Sequence, residues 1–188
     1  MLQTVGGRRM EQVTNRGKTL HQRFSDLDNT VFSAFCTSFD NVKWQIKPIE
    51  DIYSGVDVQA TASTNSNRKT YDVEIKSRIT VDNFDLVKDC FFQPDKWLSL
   101  VERENDNKIY FVIYPNCNKV AIWNITGELL RNTEKVIQPM KKNTARSSEQ
   151  IEKQVYKLGL KNAKVYTFDL SKYREKYNAL YKQTTKSH

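Results

Sequence analysis

The feature that most restricts how this chain can fold is a pair of alternating, β-prone segments held apart by turn-forming residues. Val56-Asp57-Val58-Gln59-Ala60 alternates apolar and polar side chains, Tyr71-Asp72-Val73-Glu74-Ile75-Lys76-Ser77-Arg78 does the same, and residues 61–69 (TASTNSNRK) lie between them. That arrangement predicts an antiparallel hairpin. Side chains point to opposite faces in succession along a strand, so Val73 and Ile75 share one face while Asp72, Glu74, Lys76 and Arg78 share the other. By the same parity Asp57 lies opposite Val56 and Val58. A turn centred between Asn65 and Ser66 sets position 57 across from position 74, with Cβ atoms about 5 Å apart.

Two carboxylates placed directly opposite one another repel, unless a cation sits between them. Hard divalent ions such as Mg²⁺ and Mn²⁺ take oxygen ligands, and Mg²⁺ is commonly held by one or two carboxylates with water and substrate phosphate completing its shell. Asp57 and Glu74 supply that number, and Lys76 on the same face as Glu74 can orient or deprotonate water and balance charge on a transition state. The chain has two histidines and three dispersed cysteines, so a His-rich metal site, a His-dependent triad and a disulfide framework lack material. The cysteines Cys36, Cys90 and Cys117 read as buried thiols.

The neighbouring segments place this hairpin in an α/β domain. Apolar residues Leu20, Phe24, Leu27, Val31, Phe32 and Phe35 recur at spacings of three and four, predicting a helix over 20–39 whose other face carries Asp26, Asp28 and Asn29. Residues 42–49 (VKWQIKPI) alternate and end at Pro48, as in an edge strand. After an Asp-rich connection, 94–102 (PDKWLSLVE) reads as a helix with Pro in its first turn. Residues 108–114 (KIYFVIY) and 119–125 (KVAIWNI) read as strands buried at the sheet centre beside 71–78. Beyond Gly127 the chain is Lys-rich and loop-like to 145, a helix follows from Ser147 with Ile151, Val155 and Leu158 on one face, and a strand over 164–170 leads to a helix from Ser171. The expected domains are a basic arm over 1–19, one α/β domain over 20–170, and a C-terminal helix and tail over 171–188.

Asp57 within Gly55-Val56-Asp57-Val58, followed across a turn by Glu74-Ile75-Lys76, resembles the signature of the PD-(D/E)XK nuclease superfamily. Val56 stands where the pattern's name has proline. The resemblance covers roughly residues 20–125 and implies a restriction endonuclease-like core, with a central mixed sheet of four to five strands flanked by helices and a basic C-terminal helical extension. It implies that Asp57, Glu74 and the Ile75 carbonyl hold the metal and that Lys76 assists the water, with Asp26 or Asp28 as an added acid from the first helix. The implied activity is Mg²⁺- or Mn²⁺-dependent hydrolysis of nucleic-acid phosphodiester bonds, of DNA in the first instance. A homodimer is expected where both strands of a duplex are cut. The competing expectations are a nuclease-fold protein that binds nucleic acid or serves in assembly without turnover, and a structural protein whose basic ends meet an acidic partner.

Charge is distributed in keeping with a polyanion partner. Residues 1–23 hold five Lys or Arg against one acid, residues 24–130 eleven against sixteen, and residues 131–188 fourteen against five. Basic flanks around an acidic centre suit a polyanion gripped at its sides. Lys96, Lys141, Lys142 and Arg146 are the candidates for phosphate contact, with Lys153, Lys157, Lys161 and Lys164 beside them and Gln93 near the cleft; a solvated surface is the competing reading of each. Core packing is the expected role of Trp44, Trp97 and Trp123 and of the terminal tyrosines. No apolar run reaches the roughly 20 residues that span a bilayer, and the start of the chain has no apolar stretch of a secretory signal, so a cytoplasmic location without membrane association is expected.

Overall fold

A computed structural model of the chain describes residues 18–49, 55–141 and 150–186. The arm expected over 1–19 falls almost wholly outside them. Helix α1 (Leu20–Thr37) starts at a capping box: the Thr19 hydroxyl accepts from the Gln22 N–H at 3.2 Å, and the Gln22 side chain accepts from the Thr19 N–H at 2.9 Å. Its buried stripe is Leu27, Val31, Phe32, Phe35 and Cys36.

Strands β1 (Lys43–Pro48), β2 (Val58–Ser63) and β3 (Arg68–Ser77) follow as an antiparallel meander. Val58 pairs with Val73 and Ser63 with Arg68, which is the hairpin register the sequence pattern predicts, but the ladder ends at Val58 and the Asp57 N–H bonds to the Val73 carbonyl, so 57 is not paired with 74 as expected. A single 3₁₀ turn (Phe84–Leu86), β4 (Asp89–Phe92) and α2 (Pro94–Val101) then carry the chain to β5 (Asn107–Tyr114), which lies parallel to β3. Strand β6 (Lys119–Asn124) turns back antiparallel to β5 after Asn118, whose φ of 51° is the left-handed conformation that Asn tolerates. Helix α3 (Gly127–Arg131), β7 (Lys135–Lys141), β8 (Gln150–Gly159), β9 (Lys164–Thr167) and α4 (Ser171–Lys186) complete the described α-helices and strands.

The architecture is α/β with a mixed central sheet, in the order β1-β2-β3-β5-β6-β9. It has six strands rather than four or five, because β1 and β9 close its two edges. A second, antiparallel sheet in the order β4-β8-β7 was not foreseen. The helix expected from Ser147 is strand β8, flanked on both sides by partners that use its backbone groups: Val155 pairs with Val136, and Leu158 with Cys90. Three apolar positions at 151, 155 and 158 are too few to separate a helical period from a strand, and Ile151, Val155 and Tyr156 favour the strand. Its Ser147 cap lies outside the described residues. The expected loop after Gly127 contains α3 and β7, and the Asp-rich connection contains β4.

Two apolar clusters sandwich the central sheet. One joins Val58, Ala60, Val73, Ile75, Phe111 and Ile113 to α1 and to Tyr173, Tyr177 and Leu180 of α4. The other joins Tyr110, Val112, Ala121 and Trp123 to Cys90, Phe92 and Leu158 of the second sheet and Leu100 of α2. Trp44 and Trp97 pack against these clusters and Trp123 is fully buried, as expected, whereas Cys117 is only half-buried.

Strand β3 is therefore covered on both faces from Asp72 to Ile75, and its acids are buried with its valine and isoleucine. Asp72 has no exposed surface, and its carboxylate is met by Lys108 Nζ from β5 at 3.1 Å and by the Asn105 amide at 3.0 Å. Removing one partner of a buried pair strands the other charge, at a cost of about 3–5 kcal/mol, while an apolar replacement of both is commonly near neutral. Lys108→Met is accordingly expected to lower stability by about that amount in urea titrations. The double variant Asp72→Leu, Lys108→Met should recover most of the loss, and a double variant as unstable as the single one would contradict this account.

Candidate active site

The β2–β3 ladder ends where Val58 meets Val73, yet β3 continues to Ser77. The N–H and C=O of one strand residue point to the same side, so both polar groups of Ile75 face the notch that β2 has left. Asp57 fills it. Its carboxylate Oδ2 accepts from the Ile75 N–H at 2.7 Å, its own N–H donates to the Val73 carbonyl at 2.9 Å, and its carbonyl accepts from the Ile49 N–H at 2.8 Å. The expected parity breaks here: Val58 enters the helix-side core, whereas Val56 packs in the other cluster with Tyr110 and Val112.

Glu74 is nearly fully buried and is reached by Lys96 of α2, whose Nζ lies 3.0 Å from Oε1 and 3.2 Å from Oε2. Burial pushes the Glu74 carboxyl up to about 8, the charge of Asp57 adds to the rise, and Lys96 offsets only part of it. Lys76 is held below the ordinary lysine range by burial and by Arg78 beside it, against the pull of Glu74 and Asp28. Asp28 is half-buried as a residue, but its carboxyl end is enclosed, and Tyr177 of α4 donates to Oδ1 at 2.7 Å. Burial raises Asp28 to about 7 in spite of the Tyr177 hydrogen bond, and Asp57 raises it further.

The residues singled out from sequence thus separate. Asp57, Glu74, Lys76 and Lys96 interact with one another, and Asp28 joins them. Asp26 is instead on the surface, 2.6 Å from Lys18. Gln93 caps no backbone group and directs its amide to the Met140 sulfur at 3.7 Å. Lys141 ends β7 opposite Gln150, while Lys142 and Arg146 lie outside the described residues. Lys157 stands between Asp89 and Glu134, 3.7 Å from each, on a strand rather than on a helical face. The polar face of α1 did not separate Asp28 from Asp26, since a solvated acid and one enclosed by a distant tyrosine look alike in sequence.

The donor set can be tested against a divalent cation. Among the described residues no three carboxylate, imidazole or thiolate groups converge to enclose a metal unaided. Two carboxylates, Asp57 and Glu74, with the Ile75 carbonyl aimed into the same notch do match the sparse oxygen set on which Mg²⁺ relies. The residues fit such an ion. Comparison with protein-family models, with curated proteins and with solved structures gives no match for this chain.

Two expectations follow from this geometry. At Gly55, where φ is +64°, an added Cβ would stand 2.5 Å from Ser99 Cβ and 2.6 Å from its Oγ. Gly55→Ala should cost about 1–2 kcal/mol in backbone strain, with a steric loss on top that Ser99→Gly relieves; urea midpoints of the single and double variants check this. Asp28 bears on pH. Its folded value of about 7 lies above the ordinary value of 3.8, so between those limits the folded state keeps a proton that the unfolded chain has lost, and stability falls as pH rises. Asp28→Asn should match wild type near pH 4 and be increasingly the more stable of the two up to about pH 8. A pH-independent difference in urea midpoints would contradict the assignment.

Proposed function

We propose that this chain is a divalent-metal-dependent endonuclease with a restriction endonuclease-like core of the PD-(D/E)XK kind, hydrolysing phosphodiester bonds of DNA at Asp57, Glu74 and Lys76. The observation that carries the reading is Asp57, held at the start of β2 by the Ile75 N–H, acting electrostatically on Glu74, which is buried and raised to about 8 on the same strand as Lys76. A folded protein does not ordinarily leave opposed carboxylates enclosed unless a cation is to join them.

A bound Mg²⁺ or Mn²⁺ would supply Lewis-acid polarisation of the phosphate and ease ionisation of water. Asp57, Glu74 and the Ile75 carbonyl would hold it. Asp57 is already fixed by the Ile75 N–H, so little side-chain freedom remains to be lost on binding. Lys76, with its proton affinity lowered by burial and by Arg78, is suited to taking a proton from the attacking water or to orienting that water. Lys96 offsets Glu74 at the mouth of the site and is placed to meet the negative charge of an incoming phosphate.

The test is nicking of supercoiled plasmid in Mg²⁺. Asp57→Ala, Glu74→Gln and Lys76→Ala should each slow wild-type nicking by at least ~100-fold, with little loss of fold by circular dichroism. Equal nicking by wild type and by the Asp57→Ala, Lys76→Ala double variant would reject the reading. One observation favours a second reading: Lys96 contacts both oxygens of Glu74, so an internal ammonium can stand permanently where a metal would act. A non-catalytic nucleic-acid-binding or assembly protein on the same scaffold would bind DNA in a salt-sensitive way with no metal-dependent cleavage.

A further inference from the structure

One face of the β1–β3 wing is not covered by the second sheet. The strand registers put Lys43, Gln45 and Lys47 of β1, Gln59, Thr61 and Ser63 of β2, and Arg68, Thr70 and Asp72 of β3 on it together. The opposite face carries Trp44, Ile46, Ala60 and Tyr71, which pack on the helix-side core. On the uncovered face lies a groove of about 340 Å³, with the wing as floor and Asn105, from the loop before β5, as part of its wall.

The lining has a definite chemistry. Its groups are the amides of Gln45, Gln59 and Asn105, the hydroxyls of Thr61 and Thr70, and the cations Lys47 and Arg68. The one acid on this floor, Asp72, is fully buried and neutralised by Lys108. Lys43, Lys47 and Arg68 form no ion pair among the described residues, and all three are exposed. The floor is also fixed in place: the Thr61 and Thr70 hydroxyls are 3.0 Å apart, and the Asn105 amide donates to Asp72.

The groove lies on the same face of β3 as Glu74, with the buried Asp72 between them. Thr70, Asp72 and Glu74 alternate along the same face of β3, and at about 3.3 Å per residue Thr70 lies about 13 Å from Glu74. A nucleic-acid strand advances about 3.4 Å per nucleotide along the helix axis, so the groove matches positions two to four nucleotides from a phosphate held at Glu74. Phosphate and sugar are gripped by Arg, Lys, Thr, Asn and Gln side chains, whereas unpaired bases are read by stacking on rings. The aromatic rings of the wing, Trp44 and Tyr71, stand near each other on the other face, with centroids 6.2 Å apart.

We propose that the uncovered face of β1–β3 is a track for the sugar–phosphate backbone of duplex DNA flanking the bond to be cut, with Lys47 and Arg68 as its phosphate contacts. The inference rests on the nuclease reading for the nature of its ligand and adds the form of that ligand and where it lies.

The experiment is fluorescence anisotropy with a labelled DNA duplex and with its labelled strand alone, using the full chain in EDTA so that neither metal nor cleavage enters. Wild type should bind the duplex more tightly than the single strand. Lys47→Ala with Arg68→Ala should weaken duplex binding about tenfold and lower the salt-dependence slope by about two. Lys172→Ala with Lys176→Ala removes equal charge from exposed positions of α4 and should leave binding unchanged. Equal loss from both pairs, tighter binding of the single strand, or no binding by wild type at low salt would overturn the track. Binding that depends on Lys47 and Arg68 in a protein that never nicks plasmid would keep the track and remove the nuclease. Nicking by wild type with binding indifferent to Lys47 and Arg68 would do the reverse.

Discussion

Much of the site's arrangement hangs on a single hydrogen bond, in which the Asp57 carboxylate takes the place of an absent strand. Beyond Val58 the sheet would leave the Ile75 N–H without a partner on that side, and a buried unpaired amide costs about as much as a lost hydrogen bond. By answering that N–H, Asp57 holds its charge at the gap between two strands. The Ile75 carbonyl opens on the same side, and Glu74 stands one residue away on the face toward α2. The same local economy therefore stabilises the sheet and concentrates oxygen atoms.

Burial on both faces turns that arrangement into an electrostatic problem. Asp72 and Glu74 occupy alternate positions on one strand but are handled differently: Asp72 is matched by Lys108 from the adjacent strand, whereas Glu74 depends on Lys96 from a helix and stays elevated. The first is a closed structural pair with amide support. The second is a partly balanced pair at an accessible margin, next to a second acid and a depressed lysine. Elevated acids and lowered lysines in one pocket are the form that binding and catalytic chemistry commonly takes.

The hairpin and its register from 58 to 73 were legible because strand parity and a turn-rich spacer act locally, but Asp57 lies beyond the ladder, where the expected parity breaks. The buried centre at β5 and β6 was legible from continuous apolar runs. Strand β8 was not, since its identity depends on β4 and β7 binding its two edges, and neither partner had a clear signature of its own. Lys96 was marked as a phosphate contact rather than as the partner of Glu74, and Asp28 as one of two alternative acids from the first helix, with no sign of its tyrosine. Their roles arise from contacts across long stretches of chain, Lys96 to Glu74 and Asp28 to Tyr177, which no local period encodes. Helix α4, read as a segment apart, contributes Tyr173, Tyr177 and Leu180 to the core that α1 begins.

That last contact has a bearing on biosynthesis. Tyr177 belongs to the final described helix and Asp28 to the first, so the hydroxyl that steadies the acid leaves the ribosome 149 residues after it. Until it arrives, Asp28 has no tyrosine to hold it, and the acid cluster is assembled without its last support. A nascent chain can build the hairpin early, but the electrostatics of the notch wait for α4 to be synthesised.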